Sequence, residues 1–233
     1  MQRRNLVFGW AVVCVGLATV ATATNPDPVV TGNTSYKGLI TSGLNMNPGQ
    51  NDGPNVKIYL EDPGVTLLSN LTVDRIGPNF GDFTSGTSGT IASGTQVIDY
   101  LLHYDANGIG ANNDVSGTIT FSTPILGLIV FTQALDDSDA IFGAPGVTYY
   151  TGTDRGLDTD AVNQGHGDDQ FSVTNGSLTF NITGWTTTNI IDEVRVIVAV
   201  PEASTTVAPA FALFVIAGVA VRRRICLIFS ASR

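Results

Sequence analysis

Cysteine is almost missing from this chain of 233 residues. The two present, Cys14 and Cys226, lie in the apolar segments near either end. The body between them therefore has no thiol for a disulfide framework, a Cys-ligated zinc or a nucleophile. Positive charge is scarce as well. Between Asp27 and Glu202, Lys37, Lys57, Arg75, Arg155 and Arg195 face all twenty carboxylates, a net charge of −15. Such a surface repels phosphate backbones, which excludes nucleic acid as a partner. Histidine occurs only at His103 and His166, and glutamate only at Glu61, Glu193 and Glu202. No Gly-x-Ser-x-Gly elbow and no Glu-x-Asp-x-x-Glu strand can be read in the chain. The expectation is a protein that is not an enzyme. A secreted hydrolase built on His103 and its acidic neighbours is the weakest alternative.

The N-terminal segment has a secretory layout. Arg3 and Arg4 precede an unbroken apolar run over residues 6–20, and Ala21-Thr22-Ala23 offers a small–x–small cleavage site at Ala21 and Ala23. This predicts a signal peptide over residues 1–23. At ~1.5 Å per residue the run spans ~23 Å, short of a ~30 Å hydrocarbon core. Gln2-Arg3-Arg4-Asn5-Leu6-Val7 fits twin-arginine export poorly, which favours the general route.

The other end reads Val200, Pro201, Glu202, Ala203, Ser204, then a run of mostly apolar residues over 207–221, then Arg222, Arg223 and Arg224. Pro209 suits the first turn of a helix, and the run after it is apolar on every side. Three arginines inside a membrane span would cost roughly 2.5–3.5 kcal/mol each near its centre, so the helix stops at Arg222. In these residues the chain resembles the PEP-CTERM family of bacterial exported proteins. The resemblance implies that residues 200–224 are a sorting tail, with 225–233 trailing it. It also implies a membrane-embedded processing enzyme, exosortase, as partner, and extracellular polysaccharide as the setting. Two features depart from the family pattern: the second proline of the motif is replaced by Ala203, and nine residues follow the arginines. An uncut tail anchor is the alternative.

Between these ends the chain shows short β-branched and aromatic runs separated by turn clusters, with no sustained 3.6-residue period. Strands are expected at 56–60, 71–76, 96–104, 117–122, 125–131, 171–174, 177–183 and 190–199. Asn175-Gly176 marks a hairpin and Ser122-Thr123-Pro124 a turn. Val194, Val196 and Val198 are expected to face a core, with Glu193 and Arg195 opposite. The fold class expected is all-β, an antiparallel β-sandwich of jelly-roll-like form over residues 56–199. Residues 24–55 are expected as an extended arm or irregular edge. The stretches 101–105, 120–127 and 192–196 look like a β module recurring in PEP-CTERM ectodomains, from which nothing biochemical follows.

Three acidic clusters stand out: Asp105 with Asn107 to Asp114, then Asp136-Asp137-Ser138-Asp139, then Asp154, Asp158 and Asp160 followed by Asp168 and Asp169. Calcium takes six to eight oxygen ligands of this kind, and solvated turns select the same residues. The third cluster is the candidate calcium site. Tyr149, Tyr150 and Trp185 are candidates for a sugar platform or for packing. The leading expectation is an exported, non-enzymatic surface or matrix protein associated with exopolysaccharide. The runner-up is a calcium-assisted carbohydrate-binding module.

Overall fold

The computed structural model describes residues 27–51, 53–81, 86–106, 114–157, 169–183 and 191–201. All lie within the compact unit Thr24–Pro201. The signal segment, Glu202 to Ser204 and the arginine cluster lie outside the described residues. No helix among those described is long and apolar enough to cross a membrane.

Among the described residues the fold is all-β with one short helix. The N-terminal strands are β1 (Val29–Gly32), β2 (Thr34–Leu39), β3 (Val56–Thr66), β4 (Leu71–Val73), β5 (Arg75–Ile76) and β6 (Asn79–Phe80). β7 (Gly89–Ile91), β8 (Gln96–Tyr104), β9 (Val115–Thr120) and β10 (Ile125–Ile129) follow. After the helix α1 (Thr132–Phe142) come β11 (Gln170–Thr174), β12 (Ser177–Ile182) and β13 (Asp192–Ala199). One sheet runs β1-β9-β12-β11-β6 and a second β2-β3-β8-β13-β10-β5, while β4 pairs with β7 alone. All pairings between the described strands are antiparallel except β2 with β3, and the isolated bridge Asn45–Thr148 is parallel too, which departs from the purely antiparallel expectation.

Alternation along the strands builds the main core. Ile119, Phe121, Phe171, Leu178 and Phe180 of the first sheet and its turns pack with Ile58, Tyr100, Leu102, Val194, Val196 and Val198 of the second. Side chains two apart on a strand share a face, so these residues form one apolar layer. Gly117 lies opposite Phe180 in the ladder. A Cβ there would sit 2.9 Å from the Phe180 ring and 2.6 Å from the Thr31 carbonyl oxygen. Only glycine lets these strands approach so closely.

The second sheet is buried on its other face too. β4 and β7 contribute Leu71, Val73 and Ile91, and α1 contributes Leu135 and Phe142, packed with Val97, Ile129 and Ile197. Ile40 and Met46 close over Tyr59 and Leu101. The consequence is that β8 and β13 are buried along nearly their whole lengths. Strands covered on both faces lose the apolar–polar alternation of a half-exposed strand.

Several expected elements take another or a more definite form. The segment 24–55 supplies β1 and β2, one at an edge of each large sheet, and Ile40 and Met46 to the interior. The expected strand 71–76 is divided between two sheets, because Asp74 turns the chain between β4 and β5. β3 continues past residue 60 to Thr66, accommodating Pro63 where its register against β8 shifts; bulges are where strands tolerate proline. Asp136, Asp137 and Asp139 belong to α1, not to a loop.

Candidate functional site

Local propensity does not explain α1. Asp-Asp-Ser-Asp is a poor helix former, the helix has no side-chain N-cap, and no basic residue lies in its last turn. Tertiary contacts supply what the sequence omits. Asp74 Oδ2 accepts hydrogen bonds from the backbone N–H groups of Val130 (2.8 Å) and Phe131 (3.1 Å) just ahead of the helix. Leu135 and Phe142 are buried. The helix then places Ser138 and Asp139 against the outer face of the second sheet.

There, two buried arginines organise an ionic network. Arg195 on β13 donates from Nε to Glu61 Oε2 (2.8 Å) and from Nη2 to Glu61 Oε1 (3.2 Å). Its Nη1 donates to the Leu135 carbonyl (3.0 Å) and to Ser138 Oγ (2.5 Å), while Nη2 lies 2.8 Å from Asp139 Oδ1. Arg155 shares Asp139 with it: Nη1 donates to Oδ2 at 2.7 Å and Nη2 to Oδ1 at 3.0 Å, while Nη1 also donates to Asp136 at 2.8 Å and Nε to Glu193 at 2.6 Å. The second oxygen of Glu193 pairs with His103 Nδ1 at 2.8 Å. The ring of Tyr149 stands 5.5 Å from both guanidinium carbons, within cation–π range. Its hydroxyl donates to Glu61 and accepts from the Ala144 N–H.

Arg155, Arg195, Glu193, His103 and Asp99 are all 0% exposed. Ionised groups survive such burial only when paired. Burial alone pushes both guanidiniums down, but the surrounding carboxylates overcome it and hold them above the ordinary arginine value. Burial likewise pushes Glu193 up, yet His103 and Arg155 keep it below the ordinary glutamate value. Asp99 goes the other way. Burial and the adjacent Glu61 raise it well above its usual value, against the pull of Arg195. Its Oδ2 lies 3.3 Å from Arg195 Nε, and neither oxygen has a hydrogen-bond partner among the described residues. Of the network carboxyls Asp99 and Glu193, Asp99 is the one pushed toward its neutral form.

An open groove of about 540 Å³ runs between α1 and β4, lined by Asn70, Thr72, Asp74, Phe131, Gln133 and Asp137 among others. Of the network side chains, Ser138 alone lines it, and its hydroxyl is engaged with Leu135 and Arg195. The arrangement can therefore fix a helix to a sheet; its His103 and Glu193 are fully buried, while Asp136 and Asp139 keep 30% and 21% of their side chains exposed.

Of the residues singled out in the sequence, His103 is buried in the network and bonded to Glu193. Asp105 lies at the end of β8, where its Oδ2 accepts from the Gly49 N–H at 2.7 Å. Glu193 and Arg195 do face away from the valine row, yet they are enclosed because α1 covers them. Asp154 lies in an exposed stretch, and its carbonyl accepts from the Ile191 N–H at 3.3 Å. Asp158, Asp160, His166 and Trp185 lie outside the described residues. Among those described, no group of three or more His, Cys, Asp or Glu side chains is placed to hold a metal ion. Sequence reasoning assigned no site role to Glu61, Asp99 or Arg155; it placed Ser138 in an acidic cluster and Tyr149 among platform or packing candidates without joining them to the arginines. A usable signal was a carboxylate inside an apolar run, as in Val97-Ile98-Asp99-Tyr100-Leu101.

The fold and the network define a class: an all-β domain with a short helix bolted to a sheet by buried arginines. None of the protein families, characterised proteins or solved structures compared with this chain matches it.

Proposed function

We propose that this is an exported, non-enzymatic surface or matrix protein, held and processed through its C-terminal segment and associated with exopolysaccharide. In this reading the two large sheets form a β-sandwich of jelly-roll-like form, displayed outside the cell. The observation that carries the reading is the layout of the chain. A basic n-region, a short apolar run and Ala21-Thr22-Ala23 precede the β domain, and Val200-Pro201-Glu202, an apolar run and Arg222-Arg223-Arg224 follow it. Export explains a thiol-free body that needs no redox protection. The non-enzymatic reading is supported by the burial of His103, Glu193 and both arginines in contacts with one another and with neighbouring carboxylates.

Intact mass of the protein recovered separately from medium, envelope and cytosol tests this. The expected species begins after Ala23 and, where the tail has been processed, lacks residues beyond Glu202. Full-length chain confined to the cytosol overturns the proposal.

A further inference from the structure

Helix α1 has thin support. Of its 11 residues, Leu135, Ser138 and Phe142 are the buried ones, a stripe at i, i+3 and i+7 that is narrow for a packed helix. The groove of about 540 Å³ separates α1 from β4, and a second hollow of about 300 Å³ lies between Ala140 and Ile141 of the helix and Val65, Leu67 and Leu68. On that flank the helix is undercut. Its ties to the two arginines are polar: Asp136 and Asp139 to Arg155, and Asp139, Ser138 and the Leu135 carbonyl to Arg195. The chain is pinned on either side of residues 133–142. Thr132 Oγ1 donates to the Thr153 carbonyl at 3.0 Å and accepts from the Gly156 N–H at 3.1 Å. Past the helix, the Gly146 carbonyl accepts from the Gly43 N–H at 2.8 Å, and the Thr148 N–H donates to the Leu44 carbonyl at 3.0 Å. Arg155 is fastened to β13, its carbonyl accepting from the Glu193 N–H at 2.9 Å.

We infer that residues 133–142 open as a unit, a hinged flap that Arg155 and Arg195 hold shut, while the two large sheets stay folded. When the flap lifts, Asp136, Asp139 and the guanidiniums regain water together, which returns the desolvation that opposed their pairing. The burial of Leu135 and Phe142 is lost outright, but that is two side chains. Unfolding the sheets exposes the whole core between them. The helix adds little stability of its own, having no side-chain N-cap and no basic residue in its last turn. Its opening therefore lies at the low-energy end of the motions of this domain. The open state brings Arg155 and Arg195 to solvent, with the helix carboxylates withdrawn from them. The arginines thus act as the catch, and loss of one acceptor on the helix shifts the balance toward the open state.

Native-state hydrogen exchange of the full chain in mild detergent, followed by mass spectrometry over a series of low urea concentrations, tests it. Amides of residues 136–142 are expected to exchange about a hundredfold or more faster than those of β8 and β13, with a shallower urea dependence because less surface is exposed. Two variants separate flap opening from unfolding. Ser138→Ala takes an acceptor from Arg195 and raises helix propensity, so faster exchange in it reports the arginine contact. It is expected to speed residues 136–142 about fivefold or more. Ile119→Val weakens the core between the sheets, which the open state keeps. It is expected to speed β8 and β13 about two- to tenfold and to leave residues 136–142 at the wild-type rate. Three outcomes overturn the inference: helix amides with the rates and urea slope of β8 and β13, helix exchange indifferent to Ser138→Ala, or Ile119→Val speeding helix and sheets alike.

Discussion

Arg195 reaches across the outer face of its sheet to Glu61, 134 residues earlier in the chain, and closes a two-pronged contact at 2.8 and 3.2 Å. The pair ties β13 to β3 across the intervening β8. The same guanidinium holds α1 through Leu135 and Ser138. One side chain thus joins three elements that are remote in sequence.

Removing it leaves Glu61 buried and uncompensated. Breaking a buried pair from one side costs about 3–5 kcal/mol, and Arg195→Met is expected to fall in that range in urea unfolding. Glu61→Gln is expected to destabilise as well, with the double variant costing clearly less than the two single losses together. Additive losses would show that the two groups act independently.

Asp99 gives the network a pH dependence with a definite sign. Its folded value lies well above the ordinary 3.8, so the native state binds this proton more tightly than the unfolded chain does. The associated stability is present below the unfolded value and is lost as pH rises toward the folded one. Asp99→Asn keeps the shape without the titration. It is expected to gain on wild type by up to about 1.4 kcal/mol per pH unit across that window and to show no such gain at pH below 3.8. Glu193 has the opposite sign. Its folded value is depressed, so its contribution is present above the unfolded value and fades as pH falls through the folded one. Urea midpoints of wild type and Asp99→Asn across a pH series separate the two. Parallel curves would refute the raised value of Asp99.

Strands with a clean two-residue period were legible in the sequence. The alternation in β9 and β12, and the valine row of β13, follow from one face meeting a core and could be read without coordinates. The edge strands β1 and β2 were not, since Thr, Ser and Gly make a weak local signal and pairing supplies the rest. Nor was α1, because its stabilising contacts come from Asp74, Arg155 and Arg195, which are distant along the chain. Glu193 and Arg195 looked like a solvent face for the same reason: nothing local announces that a helix covers them. The network is a product of topology, and short-range pattern cannot reveal it.

Tyr149 offers a test of how the network is sealed. Its hydroxyl serves Glu61 as donor and the Ala144 N–H as acceptor, while its ring packs between the two guanidiniums. Tyr149→Phe preserves the ring and strips both hydrogen bonds. Leaving buried partners unsatisfied costs about 1–3 kcal/mol, expected as a lower denaturant midpoint with an unchanged m-value. A midpoint equal to wild type would mean that water replaces the hydroxyl at no cost.

The hairpin tip between β11 and β12 carries a backbone requirement that packing cannot relax. Asn175 has φ 38° and Gly176 φ 90°, the pair of positive values that a two-residue type I′ turn demands. The tip is also docked, since the Gly176 carbonyl accepts from the Phe121 N–H at 2.8 Å. A Cβ on Gly176 would stand 3.2 Å from the Thr123 carbonyl oxygen and 3.3 Å from that of Phe121. Gly176→Ala therefore meets both a left-handed backbone, about 1–2 kcal/mol for an L-residue, and a tight approach to two carbonyls. The expected loss is about 2 kcal/mol in thermal or urea unfolding. Asn175→Gly, which relieves rather than adds a positive-φ penalty, is expected to stay within about 0.5 kcal/mol of wild type. If Gly176→Ala proved as stable as Asn175→Gly, the turn would have to be of another type, and the register that aligns Thr179 with Thr118 would lose its anchor.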